Sequence, residues 1–276
     1  MKERFPELDR RTARRRFERA APTYGAASRL EAEIGARMLE RLDYLKIAPR
    51  RILDAGSGPS REARGLASRY ARPQIISLDF SPAMLRAGRS KFGFFRKEKL
   101  LCADLTQLPL ASGTIDLAWS NMALHWVSEP LAAFKEFIRV LAPEGLLMFS
   151  SLGPDTLKEL RVAAGATRVH EFIDMHDLGD MLVAAGFSAP VMDMEVLTFT
   201  YEHADALLAD LRAGGQTNAR ADRPRGLSGK GFLKKLRASA GTRGTFEVVY
   251  GHAWKGVPRK LADGRDIVEF HAKPGR

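Results

Sequence analysis

Cysteine is almost missing from this sequence, since Cys102 is the only one among 276 residues. A single thiol excludes an internal disulfide, and nothing in the sequence pairs with it as a metal site. Because Cys102 falls in a predicted strand, we expect it to be buried as a small apolar residue. The sequence also has no apolar run near the roughly 20 residues that a membrane span requires. We therefore expect a cytoplasmic protein with no metal site and no membrane segment.

Acidic residues are in deficit, with 33 Asp and Glu against 44 Lys and Arg and a net charge of +11. Much of the excess lies in residues 1–19, with eight basic and four acidic side chains, and in residues 220–243, with eight basic side chains and only Asp222 opposing them. Such a surface favours an acidic partner or substrate. Nucleic acid is not the partner we expect, because the sequence lacks a helix-turn-helix, a zinc-finger spacing and a set of stacking aromatics. The four acids in residues 1–19 also argue against an organelle transit peptide.

The most informative stretch is residues 51–60, where a short apolar run passes into Gly56 and Gly58. This order predicts a strand followed by a tight turn, and open α/β sheets bind their ligands at the carboxyl ends of strands. The turn resembles a dinucleotide-binding loop, but Arg61 stands at its third glycine position and Asp54 precedes it. A carboxylate there would repel a pyrophosphate. It suits a ligand with a cationic end, such as S-adenosylmethionine (SAM).

Two further acids follow predicted strands. Residues 74–79 end in Asp79, 23 positions beyond Gly56, close to the spacing at which an acid holds ribose hydroxyls. Residues 100–104 end in Asp104, which is placed to reach an adenine amino group. Aspartates that merely cap helices or turns are the alternative. Taken together with Asp54, the pattern resembles the class I SAM-dependent methyltransferase family.

Strands alternate with helices from residue 51 to residue 151, which predicts parallel βαβ units. With the resemblance, this implies an α/β fold with a doubly wound, mostly parallel, seven-stranded Rossmann-like sheet. We expect an amino-terminal helical lid at residues 1–48 and a methyltransferase domain at 49–254. Helical insertions after strand five would form a substrate-side elaboration at 154–244, and residues 255–276 a frayed tail.

The sequence also predicts three local features of the backbone. Residues 10–26 should form a basic helix that breaks near Pro22. Ser28 followed by Glu31 is typical of a capping box at the start of a second helix. The glycine- and arginine-rich residues 214–230 are expected to form a mobile loop.

A closer resemblance lies outside the glycine loop. Residues 16–24 and 124–127 are similar to the malonyl-[acyl-carrier protein] O-methyltransferase family of biotin synthesis. The likeness runs from about residue 10 to residue 254, and further matching segments are 152–160, 172–177, 191–194, 210–213 and 250–254. The loop departs from the Cys-Gly-Thr-Gly type that is usual in the family.

This resemblance implies a set of cofactor-binding residues. Asp54, Gly56 and Gly58 would hold the methionine end of SAM, and Asp79 its ribose hydroxyls. The adenine ring and the region near the transferable methyl group would be contacted by Phe80, Met84, Asp104, Leu105 and Asn121.

The resemblance also implies an acceptor site. Tyr24 would close over the methyl group, and His125 and Trp126 would line the pocket around it. Ordinary core packing is the alternative for each of these three.

The implied reaction esterifies the free carboxylate of a malonyl thioester. That carboxylate is already ionised near neutral pH, so no general base and no catalytic residue are expected. A planar arginine suits the task of holding it, with Arg212 as first candidate and Arg225 as second, against the alternative that each is a solvated surface arginine. The acidic acyl-carrier protein would meet basic residues 1–19 and 220–237.

Four other functions stay open at this point. SAM could serve a different acceptor, such as a quinone or another small acid. The arginine-modifying assembly factor of respiratory complex I is similar around residues 124–127. The chain could also be a SAM-binding partner protein without catalysis, or a basic nucleic-acid-binding protein.

Overall fold

The structure is a computed structural model that describes residues 7–89, 98–226, 228–239 and 241–257. Within them, seven strands form one sheet: β1 (Arg51–Ala55), β2 (Gln74–Asp79), β3 (Glu98–Cys102), β4 (Ile115–Ser120), β5 (Leu141–Leu152), β6 (Ser188–Thr200) and β7 (Arg243–Trp254). The same residues form nine α-helices: α1 (Arg10–Ala27), α2 (Arg29–Arg41), α3 (Arg61–Arg69), α4 (Pro82–Arg89), α5 (Pro130–Val140), α6 (Lys158–Ala164), α7 (Met175–Ala185), α8 (Ala204–Ala213) and α9 (Lys230–Ser239).

The strand order is β3-β2-β1-β4-β5-β7-β6. The first five strands pair in parallel, and β7 runs antiparallel to both β5 and β6. The predicted doubly wound, mostly parallel sheet is therefore confirmed. The strand order reverses between β1 and β4, which is where an open α/β sheet leaves a crevice for a ligand.

Apolar side chains fill both faces of the sheet. Leu30, Ile34 and Met38 recur along α2 at helical spacing, and Leu42 directly follows the helix. All four side chains are buried against one face of the sheet. Burying each side chain of this size stabilises the fold by roughly 1.5–3 kcal/mol. This apolar face fixes the amino-terminal helices on the sheet.

Helix α1 continues through Pro22, so the break predicted there is wrong. Proline removes one backbone donor from a helix, but tertiary contacts can hold the helical path. Here the Thr23 hydroxyl lies 2.8 Å from the carbonyl oxygen of Ala213 at the end of α8. Phe17, Ala20 and Ala21 on the inner face of α1 are buried with Met84 of α4.

Residues 214–226 lie between α8 and α9 without helix or strand, but they are held in place. The backbone amide of Asp9 donates to Ala219 (2.8 Å), and that of Ala221 donates to Glu7 (2.8 Å). Arg220 is buried and pairs with Glu171 (2.9 Å) and Asp222. The stretch is a loop, as predicted, but its pairing with the segment that leads into α1 argues against the predicted mobility.

Cys102 is exposed, so its predicted burial is also wrong. It lies on β3 and pairs in register with Asp79 of β2. Strand β3 is at the edge of the sheet, where one side has no neighbouring strand among the described residues. Most of the predicted tail at 255–276 and the first six residues of the basic start lie outside the described residues. Among the described helices, none combines the length and the apolar character needed to cross a bilayer.

Candidate active site

A cavity of about 280 Å³ opens at the carboxyl ends of β1, β2 and β4. We call it the acidic cavity, after the two aspartates on its rim, Asp79 and Asp104. It contains most of the predicted cofactor-binding residues: Gly56, Gly58, Asp79, Phe80, Met84, Asp104, Leu105 and Asn121.

The loop after β1 is shaped by glycine. Gly56 has a φ of +80°, and a Cβ at this position would overlap the Cβ of Ala123, so no other residue fits. The backbone amides of Gly56 and Ser57 both donate to the carbonyl oxygen of Leu78 (2.7 and 2.9 Å), which ties the loop to β2. The loop therefore presents bare backbone to the cavity.

Asp79, at the end of β2, organises the next part of the rim. Its two carboxylate oxygens accept from the backbone amides of Gly58 (2.9 Å) and Ser81 (2.7 Å). Burial raises the pKa of Asp79 to about 6, although these two hydrogen bonds favour the ionised form. A buried carboxylate with remaining acceptor capacity is suited to a pair of ligand hydroxyls.

Asp104 lies two residues beyond β3, further along the same rim. One of its oxygens accepts from the amide of Thr106 (2.8 Å) and from the Thr106 hydroxyl (2.6 Å). The other forms an ion pair with Arg10 at the start of α1, so α1 contacts the cavity mouth at its first residue. Phe80 and Met84 supply an apolar wall below.

Asp54 does not line this cavity. It is the fourth residue of β1 and is 1% exposed behind the glycine loop. As the sequence predicts, it lies near the end of the strand, between Ser77 of β2 and Trp119 of β4. Its predicted contact with the cofactor stays a prediction.

Asn121 follows β4 and is fixed by a buried polar network that the sequence did not indicate. Its side-chain amide donates to the carbonyl oxygen of Glu31 (2.9 Å) and to the Glu62 carboxylate (3.0 Å), and its oxygen accepts from Ser150 (2.8 Å). Burial raises the pKa of Glu31 to about 7 and raises that of Glu62 as well. Gly35 makes room for the network, since a Cβ there would lie 2.7 Å from Glu62 Oε1.

Arg61 occupies the position of the missing third glycine. Its guanidinium donates to the carbonyl oxygen of Gly25 (3.1 Å) and to the hydroxyl of Ser28 (2.6 Å), where α1 meets α2. Ser28 makes no side-chain bond to the start of α2, and the predicted capping box is wrong. The Glu31 carboxylate instead turns inward and accepts from the side-chain amide of Gln216. The residue that departs from the dinucleotide pattern ties the amino-terminal helices to the loop.

A second cavity, of about 290 Å³, adjoins the first on the side of the elements inserted after β5. Its lining includes four arginines, and we call it the arginine cavity: Arg16, Arg168, Arg212 and Arg223. Trp126 lines both cavities. Tyr24 lines the acidic cavity and packs on Gly58, where an added Cβ would lie 3.6 Å from the tyrosine ring.

An aromatic wall separates the two cavities. The ring of Phe17 stands edge-on to Trp126 with centroids 5.0 Å apart, and Trp126 contacts His170 at the same distance. His125 lines the arginine cavity, and the carbonyl oxygen of His125 accepts from His170 Nε2 (2.8 Å). Burial lowers the pKa of His125 well below its ordinary value and that of His170 to about 4. Both imidazoles are thus neutral at neutral pH, and the wall carries no charge.

The two predicted arginines lie in different places. Arg212, in the last turn of α8, lines the arginine cavity. Arg225 is exposed and is not among the lining residues of either cavity. Sequence reasoning missed Arg16, Arg168 and Arg223, although the run at 14–16 is visibly basic.

Comparison with known proteins agrees with this arrangement. Residues 53–149 match a family model described as a methyltransferase domain. The malonyl-[acyl-carrier protein] O-methyltransferase of Laribacter hongkongensis is 50% identical over 95% of this chain and 96% of its own length. The protein of the same name from Methylovorus sp. is 48% identical, with 96% of each chain covered.

Solved structures show the same fold at low sequence identity. The YcgJ protein of Bacillus subtilis superposes with a TM-score of 0.60 at 16% identity, covering 80% of this chain and 99% of that one. A SAM-dependent methyltransferase of Thermotoga maritima gives a TM-score of 0.55 at 18% identity, covering 88% and 99%. At this identity the likeness concerns the fold alone.

Proposed function

The chain belongs to the malonyl-[acyl-carrier protein] O-methyltransferase family and is a SAM-dependent methyltransferase, and we propose that it esterifies the free carboxylate of a malonyl group attached to an acyl-carrier protein. The resemblance places that reaction in biotin synthesis. One observation carries the proposal: a cavity rimmed by acids and a cavity lined by arginines meet at Trp126. The first suits a cationic donor and the second an anionic acceptor.

The acidic cavity fits SAM. The Gly56 turn leaves no space for a side chain and offers backbone to the methionine end. Asp79 is placed for the ribose hydroxyls, and Phe80 and Met84 form an apolar surface for a flat base beside Asp104. When bound, SAM supplies a methyl group on a positively charged sulfur that is already activated for transfer.

We propose that the residues around Trp126 position the donor and the acceptor and do not transfer a proton. The acceptor carboxylate is already ionised at neutral pH, so the reaction requires no base. Burial lowers the pKa values of His125 and His170, so both imidazoles would be weak bases and carry no charge here. We assign Tyr24, His125 and Trp126 to enclosing the reacting groups and excluding water. Orientation and exclusion of water together account for up to roughly 7–11 kcal/mol of a reaction barrier.

The acyl-carrier protein is the proposed partner, and we propose that it meets the lysines and arginines of residues 10–19, 220–226 and 228–237, which we call the basic face. Carrier proteins that are acidic would be attracted to this face over several ångströms, which raises the rate of encounter. We propose that the reaction takes place in the cytoplasm.

The decisive experiment incubates the purified protein with isotopically labelled SAM and malonyl-carrier protein, then measures the mass of the carrier. We expect a gain of one labelled methyl group that mild alkali removes as an ester. Acetyl-carrier protein, which has no free carboxylate, is the matched control. Binding of SAM without any methyl ester, or transfer to a quinone in place of the malonyl carrier, would overturn the proposal.

A further inference from the structure

The four arginines of the arginine cavity differ in the contacts that their guanidinium groups make. Arg223 forms an ion pair with Asp9 (3.0 Å) and donates to the hydroxyl of Thr12 (2.9 Å). Arg168 donates to the hydroxyl of Ser228 (2.9 Å) and stacks 4.2 Å above the ring of Phe232. Both side chains join segments that are distant in sequence. Their guanidinium groups are engaged in holding the walls of the cavity.

Arg16 is different. Its side chain is half-buried, and its guanidinium donates to the backbone carbonyl of Asn218. Within the described ranges, no carboxylate lies at ion-pair distance from it. Burial lowers the pKa of Arg16, and the positive charges of Arg223 and Arg19 lower it further. The negative charge of Asp9 opposes this shift, but Asp9 is itself paired with Arg223. The charge of Arg16 is therefore placed where solvent and neighbours compensate it poorly, which is unfavourable until an anion arrives.

The position of Arg16 on α1 relates the charge to the reaction. The next residue, Phe17, lines the acidic cavity and contacts Trp126, the residue shared by both cavities. One turn of backbone thus presents a guanidinium to one cavity and an aromatic ring to the other. Arg212, by comparison, is exposed at the end of α8, where water already solvates its charge.

We propose that Arg16 binds the acceptor carboxylate and selects the free acid over its methyl ester. This inference rests on the proposed function and names the residue that recognises the substrate. Before methylation the carboxylate neutralises the half-buried guanidinium. After methylation the ester is uncharged, Arg16 again lacks a counter-ion, and the product is held less tightly. The same residue therefore favours substrate binding and product release.

The test measures a ratio of affinities, because docking of the carrier contributes equally to both ligands. With saturating S-adenosylhomocysteine, the dissociation constants of malonyl-carrier protein and of its methyl ester are determined by calorimetry. The wild type should prefer the acid by on the order of 10²-fold, typical of a desolvated charge pair. Arg16→Gln should reduce this preference to less than about threefold, and Arg16→Lys, which keeps the charge without the planar fork, should retain part of it.

Two control variants separate recognition from other effects. Arg15→Gln removes an equal charge from the neighbouring, exposed position and should keep the wild-type ratio. Thr23→Val removes the hydroxyl contact between α1 and Ala213 without changing charge, so it should weaken acid and ester alike. Binding of S-adenosylhomocysteine by each variant shows that the protein is folded.

The inference is overturned if Arg16→Gln keeps the preference for the acid, and more sharply if Arg212→Gln abolishes it instead. Both outcomes would leave the proposed function intact, provided that the wild type still forms the methyl ester. Absence of ester formation by the wild type would instead overturn the proposed function, and this inference with it.

Discussion

The two cavities are built by different means. The polar rim of the acidic cavity comes from the ends of adjacent parallel strands, so Gly56, Asp79 and Asn121 are placed by the register of the sheet. The arginine cavity takes Arg16 from α1, Arg168 from a short turn of helix and Arg212 from α8. These segments are distant in the chain and meet only through packing. The fold thus supplies a standard donor site, and additions to the fold supply the acceptor site.

The electrostatics of the cavities differ in the same way. In the acidic cavity, backbone amides hold the Asp79 carboxylate from two sides. In the arginine cavity, the charge is carried by long side chains. Two of them, Arg168 and Arg223, also connect segments that are distant in sequence, through Ser228 and Asp9. Changes to the first should therefore act on cofactor binding, and changes to the second on the acceptor.

The largest effect is expected from the variant Asp79→Asn, which changes the acidic cavity alone. An amide retains only one acceptor for the Gly58 and Ser81 amides and has no charge for the ribose hydroxyls. We expect the affinity for S-adenosylhomocysteine to fall on the order of 10²-fold, as for loss of hydrogen bonds to a charged group. Calorimetry measures the change.

Asp116→Asn is the matched control for that variant. Asp116 accepts from the amides of Arg50 (2.7 Å) and Arg51 (2.8 Å) at the opposite, amino end of β1. We expect it to lower the unfolding temperature without changing the affinity for S-adenosylhomocysteine. Equal loss of affinity in both variants would show that the effect is general destabilisation and not a property of the acidic cavity.

A smaller effect is expected from pH. Since the pKa of Asp79 is raised to about 6, protonation below that pH removes the acceptor for ligand hydroxyls. Affinity for S-adenosylhomocysteine should be constant above pH 7 and fall by about tenfold between pH 7 and pH 5. An Asp79→Asn variant should show a flat profile over the same range, and a wild-type affinity that does not fall would contradict the assignment.

The same shift acts on stability with the opposite sign. The ordinary pKa of an Asp is 3.8, so the unfolded chain releases this proton at lower pH than the folded protein. The contribution of Asp79 to the free energy of unfolding is therefore present below about pH 4 and is lost as the pH rises to about 6. Loss of ligand at low pH is thus not explained by this group destabilising the fold.

The smallest effect is expected from salt. Raising the ionic strength screens the basic face, so KM for malonyl-carrier protein should rise roughly three- to tenfold between 50 and 500 mM salt. KM for malonyl-coenzyme A, which lacks the protein partner, should rise less. Initial rates at several salt concentrations give both values. Equal responses would argue against docking on this face.

Residues placed by strand ends could be predicted from the sequence, whereas residues placed by the packing of distant segments could not. Asp79 was recognisable because a strand end fixes where its side chain lies. Arg16 was not, because residues 14–16 are all arginine and only the rotation of α1 against the sheet decides which one faces inward. Cys102 was misplaced for a related reason, since the sequence does not state that β3 lies at the edge. Pro22 and residues 214–226 were misjudged because contacts with distant segments outweigh local preference.

Asp54 and Arg61 show which features the loop motif predicts and which it does not. Both lie where the loop pattern predicts, yet Asp54 is buried and does not line the acidic cavity, and Arg61 donates to Gly25 and Ser28. A motif gives the course of the backbone, while the use of each side chain depends on which other element packs against it.

Helix α1 covers both cavities at once. Since Arg16 and Phe17 are consecutive residues on it, neither site can be uncovered along this helix without disturbing its neighbour. S-adenosylhomocysteine and the methylated carrier protein would then be released by the same movement of α1. We expect a mutation that strengthens the attachment of α1 to lower both release rates. Stopped-flow measurement of the two release rates would show whether they change in step.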